Sequence, residues 1–207
     1  VLMLFILGLF IVKGPMKWAL LGATVLSILL SWGRNLMPFT NFFIDYVPMY
    51  SKFRTVASIL VIAEFTIPLL AMLALKKIVD EPDILKRKIK FVYISFGLTA
   101  GVALLFAIMP NAFFSDFISS SEMQAFKNIR EYIFTSDCWR SFWIIVIGSF
   151  FLLLFKSGKL KAHYMIGAIT LLCLIDMWQV NKRYLNDDMF VEQSVREQAQ
   201  PMTATDK

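Results

Sequence analysis

Six runs of apolar residues, separated by charged connections, occupy most of the sequence. They cover residues 1–12, 18–32, 56–75, 91–109, 138–155 and 162–180. A helix needs about 20 apolar residues to cross the hydrocarbon core of a bilayer, and three of the runs approach that length. Such a run satisfies its backbone hydrogen bonds in lipid by forming a helix. We therefore predict an all-α fold, a polytopic bundle of about six transmembrane segments.

The composition agrees with a membrane protein and argues against a nucleic-acid-binding one. Of the 207 residues, 58% are hydrophobic and 17% are charged, whereas soluble domains have about 45–50% apolar and about 25% charged residues. The net charge of +6 comes from basic residues in short loops, without the clustered basic face that nucleic acids need. We expect the lipid bilayer as a partner, and no nucleic acid.

The basic residues also predict an orientation. Three connections, Lys13–Lys17, Lys76–Lys90 and Lys156–Lys161, carry 11 of the 21 Lys and Arg residues. Short basic loops stay on the cytoplasmic side of a membrane. We therefore place these loops in the cytoplasm and the longer connections outside. Four tryptophans then fall near the outer boundary, as an aromatic belt would: Trp32, Trp139, Trp143 and Trp178.

Two outward connections look amphipathic. Residues 32–54, WGRNLMPFTNFFIDYVPMYSKFR, combine many rings with Arg34, Asp45, Lys52 and Arg54. These four side chains are our candidate binding site for an anionic headgroup or phosphate, because Arg forms paired hydrogen bonds with such groups. The alternative is that they mark the membrane edge and pair with lipid phosphates.

The second amphipathic segment precedes the fifth run. Ser119 and Glu122 have the spacing of a capping box, and one helical face would then carry apolar side chains: Met123, Phe126, Ile129 and Ile133. We expect an interfacial helix that lies on the outer leaflet or docks on the bundle.

Two acidic residues interrupt apolar runs. Glu64 lies roughly 13 Å from the outer end of its run at helical rise, and Pro68, four residues later, cannot donate to its carbonyl. An acid at such depth normally faces the bundle interior or a cavity, either bonded to a neighbouring helix or serving as a substrate or proton site. Asp176 lies near the outer boundary, close to water.

Gly97 and Gly101 have the spacing at which helices approach closely. With His163 the single histidine, we predict no metal site.

The segment NFFIDYVPMYSKFRTVASILVIAEFTIPLLA, residues 41–71, resembles the YfhO-type family of bacterial membrane proteins, through Pro48 and the pair Phe53–Arg54. The resemblance implies a GT-C-type glycosyltransferase of the bacterial cytoplasmic membrane, which moves a sugar from a polyprenyl-phosphate carrier to an outside acceptor. It covers the later part of the family's membrane domain. It implies that the catalytic acid lies in an earlier loop, outside this chain, so the catalytic residues are unknown and the chain alone is not catalytic.

The same resemblance shapes the predicted domain organisation. We expect residues 1–180 to form the membrane domain and residues 181–207 to be an outward tail leading to an extracytoplasmic domain. The first apolar run is short, so we read the chain as part of a longer protein that begins inside a helix. We expect the remaining segments of that protein as partners. We expect no cofactor in this part, although the complete protein could use a divalent metal.

Three functions are therefore in competition. The first is the later membrane half of a lipid-carrier-dependent glycosyltransferase, with Arg34 and Arg54 stabilising the leaving phosphate. The second is a transporter or flippase that uses Glu64 and Asp176. The third is a structural membrane anchor. The sequence favours the first, because its charge is concentrated in an outward loop.

Overall fold

The computed structural model describes residues 1–48, 50, 56–110 and 124–185, and this part of the chain is all α. The fold-class prediction is therefore confirmed. Short 3₁₀ turns, Gly33–Leu36 and Val56–Ile59, precede the third and fourth helices. The helices are α1 (Leu2–Ile11), α2 (Met16–Ser31), α3 (Met37–Tyr46), α4 (Leu60–Asp80), α5 (Ile84–Arg87), α6 (Ile89–Ile108), α7 (Gln124–Lys156) and α8 (Ala162–Tyr184).

Four segments are long and apolar enough to cross a membrane: Ala57–Asp80, Ile89–Ile108, Ile129–Lys156 and Ala162–Arg183. The helices α2 and α3 would add a fifth if they formed one span, but they meet at a bend of 103°. Each of the six apolar runs in the sequence contains most of one helix, α1, α2, α4, α6, α7 or α8. This follows from the need of every backbone group in lipid to find a partner within its own segment.

The chain divides into two compact units, residues 1–169 and 170–207. This boundary lies about a dozen residues before the predicted one at 180. The packing described below belongs to the first unit, in which α1 lies at the centre against α4 and α6. Leu7 and Ile11 of α1 are completely or almost completely buried there. They join a core with Ile78 of α4 and Val92 of α6.

Gly8 sets the distance between α1 and α4. A Cβ at this position would lie 3.0 Å from the carbonyl oxygen of Leu70 and 3.3 Å from the Cβ of Ala74. Small residues at a helix contact let the two backbones approach and gain van der Waals contact, which replaces the hydrophobic driving force that is lacking in lipid. The close approach is therefore made by Gly8 and Ala74.

The glycine pair in α6 plays no such role, and the prediction of close packing there was wrong. Gly97 and Gly101 are exposed, and in the described part of the chain no atom of another helix lies within 4 Å of a Cβ built on either one. The face of α6 that turns inward carries Ser95, Thr99 and Ala100 instead. Spacing alone could not reveal which face of this apolar helix meets its neighbours.

Hydroxyl groups connect the helices inside the unit. Thr24 of α2 and Thr66 of α4 are hydrogen-bonded at 2.7 Å between their Oγ1 atoms. Ser149 of α7 donates to the carbonyl oxygen of Ile145, at 2.6 Å, and its Oγ lies 3.1 Å from the Sδ of Met3. Among the described residues, every buried polar side chain is a hydroxyl: Thr24, Ser27, Thr40, Thr66, Ser95, Thr99 and Ser149.

The three basic connections lie at one end of the first unit, around the C-terminus of α1. Lys17 Nζ donates a hydrogen bond of 2.9 Å to the carbonyl oxygen of Leu9, and Lys88 Nζ donates one of 2.7 Å to that of Phe10. The last carbonyls of a helix lack partners within it and carry partial negative charge, so cations stabilise them. Leu160, in the third connection, packs on the same core as α1.

The grouping of these loops at one end is what the predicted topology requires, and the side of the membrane that they face stays a prediction. In the described ranges, two acids pair with these basic residues, Asp83 with Lys86 at 3.1 Å and Glu81 with two partners. Lys77 donates a hydrogen bond to the carboxylate of Glu81, and Arg87 lies 3.7 Å away. The hydrogen bond from Lys77 is the main reason that the pKa of Glu81 lies below its ordinary value of 4.5.

The interfacial helix predicted before the fifth span is not a separate element. The helix α7 runs without a break for 33 residues, roughly 50 Å at helical rise, so the segment is continuous with its span. Residues 133–138, IFTSDC, contain neither glycine nor proline, and nothing there ends a helix. Ile129 and Ile133 are exposed. The predicted capping box of Ser119 and Glu122 lies outside the described residues.

Candidate phosphate-binding corner between α2 and α3

The chain turns sharply where α2 ends, and one glycine makes the turn. Gly33 has a φ of 47°, a left-handed conformation that glycine adopts without the cost borne by other residues. The hydroxyl of Thr40, on the first turn of α3, donates a hydrogen bond of 2.8 Å to the carbonyl oxygen of Gly33. Both residues are buried. This contact joins α3 to the turn, and the segment Gly33–Tyr46 stands at 103° to α2.

The helix α3 presents a cluster of rings. Phe39 and Phe43 lie 5.0 Å apart between ring centroids, Phe42 and Tyr46 also 5.0 Å, and Tyr50 lies 5.6 Å from Phe43. Phe42 is 53% exposed and Tyr46 74% exposed. In this helix only Thr40 is buried. Exposed rings of this kind are typical of the boundary between lipid tails and headgroups, where their apolar body and polar edge are both satisfied.

The structure describes two of the four charged residues predicted to bind a phosphate. Arg34 lies on the 3₁₀ turn at the corner itself, and Asp45 lies near the far end of α3. Both are exposed, and neither takes part in an ion pair with another described residue. Lys52 and Arg54 lie outside the described residues, as does Phe53. The convergence of the four charges therefore stays a prediction.

Glu64 lies on the outside of the bundle, which corrects the expectation that it faces the interior. It is exposed, and its neighbours Val61 and Phe65 are exposed by 63% and 67%. The interior face of α4 carries Ala63 and Thr66 instead. Apolar side chains lie on every face of this helix, so their pattern did not indicate which face turns inward.

The other candidates are less informative. Asp176 belongs to α8 in the second unit and is half-buried. His163 is exposed, with its ring 4.1 Å from that of Tyr164. Within the described ranges, no group of three or more His, Cys, Asp or Glu side chains is placed to hold a metal ion.

Sequence reasoning missed two sets of residues. It read the lysines as markers of orientation and did not foresee that Lys17 and Lys88 bind the end of α1. It also passed over Thr24 and Ser27, whose spacing of three residues on an apolar helix was the available signal for a buried polar face.

The fold defines a class, a multi-pass α-helical membrane protein with a basic end and an exposed aromatic helix on the connection between α2 and α4. Comparisons with protein-family models, with curated proteins and with solved structures found no match. The resemblance of residues 41–71 to a glycosyltransferase family therefore stays a prediction.

Proposed function

We propose that the chain is the membrane part of a GT-C-type glycosyltransferase of the bacterial cytoplasmic membrane, and that the corner between α2 and α3 receives the phosphate of a polyprenyl-phosphate sugar donor. One observation carries the proposal: Arg34 is exposed and forms no ion pair with another described residue, at a corner from which an exposed aromatic helix leaves at 103°. The rings of α3 suit the level where lipid tails end, which is also the level of a lipid-borne phosphate.

The proposed reaction requires positive charge at this corner. Transfer of the sugar leaves negative charge on the carrier phosphate, and cations held at the site stabilise that charge. A guanidinium suits the task because its planar set of N–H groups matches two phosphate oxygens. In the proposal Arg34 supplies this contact together with Lys52 and Arg54. The resemblance implies that the carboxylate that activates the acceptor lies in an earlier loop of the family's membrane domain.

The transporter alternative has less support. A transporter concentrates ionisable side chains in its interior at mid-depth, whereas the fully buried polar side chains of the described residues are hydroxyls. Asp176, Asp137 and Arg140 are ionisable side chains with buried atoms, and the last two form an ion pair. Glu64, the acid on which that alternative depended most, is exposed on the outside of α4. The anchor alternative is separated from the proposal by a binding experiment.

The experiment is a titration of the purified chain, in detergent, with polyprenyl phosphate, read by native mass spectrometry. We expect Arg34→Ala to weaken binding by about tenfold to a hundredfold, since hydrogen bonds to charged groups contribute about 1.5–3 kcal/mol and about 1.4 kcal/mol is a factor of ten. Arg34→Lys should restore part of the loss. Arg130→Ala is the matched control, because Arg130 is also exposed but lies on α7. If Arg34→Ala and Arg130→Ala both bind polyprenyl phosphate as the wild type does, the corner has only a structural role at the membrane boundary. That result would favour the anchor function.

A further inference from the structure

An acidic side chain stands on the outer surface of a membrane-spanning helix. Glu64 lies seven residues inside the start of the span Ala57–Asp80, roughly 10 Å below that end at helical rise. From Glu64 to Lys76, near the basic end, the distance along the helix is roughly 18 Å. Its exposed neighbours are apolar, with Phe65 and Met72 both 67% exposed. In a bilayer, no described side chain would separate this carboxyl group from the lipid tails.

That environment is costly for an acid. A charged side chain at the centre of a bilayer costs about 2.5–3.5 kcal/mol on insertion scales and more in simulations. Long basic side chains can escape by reaching the headgroups, but a glutamate is too short to cover this depth. No described residue forms a hydrogen bond or an ion pair with the carboxyl group.

The backbone of the same residue lies next to a proline in the helix. Pro68 lies inside α4 and has no N–H, so the carbonyl oxygen of Glu64 loses the donor that a helix normally provides four residues later. In lipid an unpaired carbonyl costs several kcal/mol. A partner for this place must bring N–H groups for the carboxyl group, and a partner with several donors can also serve the carbonyl oxygen that Pro68 does not reach.

We propose that this face of α4, formed by Val61, Glu64, Phe65, Pro68 and Met72, docks a transmembrane helix of another protein that carries a Lys or Arg at the depth of Glu64. An ammonium group offers three N–H donors and a guanidinium five. The positive charge complements the carboxylate, and in a low dielectric their attraction is strong. The inference is independent of the glycosyltransferase proposal, because it uses no residue of the corner.

A second copy of the chain fits this face less well. Packed in the same orientation, it would bring its own Glu64 to this depth, and two carboxylates repel. Its nearest cation on α4, Lys76, would lie too far along the helix. Arg140, within the span of α7, already pairs with Asp137 at 3.2 Å. The occupant therefore needs a cation that the described chain does not have available.

The test uses the full chain in phosphatidylcholine vesicles, with a fluorophore at its C-terminus, and synthetic transmembrane peptides that carry an acceptor fluorophore. One peptide is a Leu/Ala helix of about 22 residues with a single Lys about 10 Å from one end. The other has Leu in place of that Lys. We expect energy transfer to report roughly tenfold tighter association of the Lys peptide, the size expected for one interhelical polar contact.

The variants assign this preference to the face. Glu64→Leu should abolish it, and Met72→Leu, on the same face, should keep it. Pro68→Ala restores the missing N–H and should reduce the preference in part, which provides a second reading if Glu64→Leu does not fold. The proposal is overturned if the wild type binds both peptides equally or if Glu64→Leu retains the preference. It is also overturned if wild-type chains associate with each other through Glu64 without peptide, since a second copy would then be the occupant.

Discussion

Lys88, at the start of α6, donates a 2.7 Å hydrogen bond to the carbonyl oxygen of Phe10, in the last turn of α1. The ring of Phe10 stacks on that of Phe91 at 4.6 Å, so the same two helices are joined by a charged contact and by an aromatic one. The contact ties a basic loop to the most buried helix of the first unit. The basic residues of this loop therefore contribute to the packing of the helices as well as to the orientation of the chain in the membrane.

We expect Lys88→Met to lower the free energy of unfolding by about 1–2 kcal/mol, because a carbonyl at a helix end loses a charged donor. Unfolding in mixed micelles would measure the change. Lys90→Met is the control, since Lys90 is exposed and has no partner among the described residues. Equal effects of the two variants would mean that the loss of positive charge matters rather than the contact.

Gly8→Ala should destabilise the protein by about 1–3 kcal/mol, the cost of overpacking a tight contact. The new Cβ would lie 3.0 Å from a backbone oxygen of Leu70, which cannot move aside like a side chain. Gly97→Ala is the matched control in open space and should be neutral or stabilising, by up to about 1 kcal/mol, through helix propensity. Thermal unfolding of both variants in one detergent checks this. A neutral Gly8→Ala would contradict the close approach of α1 and α4.

The hydroxyl pair between α2 and α4 predicts a coupling energy. Thr24 donates to the carbonyl oxygen of Leu20, at 2.7 Å, so its single proton is used and Thr66 is the donor in their shared bond. A double-mutant cycle with Thr24→Val and Thr66→Val should give a coupling of about 0.6 kcal/mol, the average for such bonds in membranes. Strictly additive effects would show that the two hydroxyls do not interact.

The contact between Lys77 and Glu81 predicts a dependence on pH. The pKa of Glu81 in the folded protein lies below its ordinary value of 4.5, chiefly through the hydrogen bond from Lys77. A lowered folded-state pKa means that the stabilisation is present above pH 4.5 and is lost as the pH falls through the folded value. Stability measured from pH 7 downward should therefore fall below pH 4.5 more steeply in the wild type than in Glu81→Gln. Parallel curves would contradict the prediction.

The sequence predicts the helices of this protein well, because the thickness of a bilayer sets their length and lipid forbids unpaired backbone groups. It also predicts which loops share one end. It does not predict which face of a span turns inward, because α4 and α6 carry apolar side chains on every side. This is why Glu64 was expected inside and why the glycine pair of α6 was mistaken for a contact in place of Gly8.

The candidate site was predictable only in part. The concentration of rings and charges marks residues 32–54 as a surface segment, and Arg34 does lie at its corner. The bend itself depends on the left-handed Gly33 and on the bond from Thr40. A sequence records both residues but not their pairing, since the pairing depends on the angle at which α3 leaves.

The fixed corner also has a consequence for how the bundle is tilted. If α3 lies flat in the plane of the headgroups, a bend of 103° inclines α2 by at least roughly 13° from the membrane normal, within the usual range of tilts. The Thr24–Thr66 bond links α2 to α4, so α4 tilts together with α2. The corner fixes the angle between α3 and α2. A change in bilayer thickness that moves α3 would therefore change the tilt of α2 and α4.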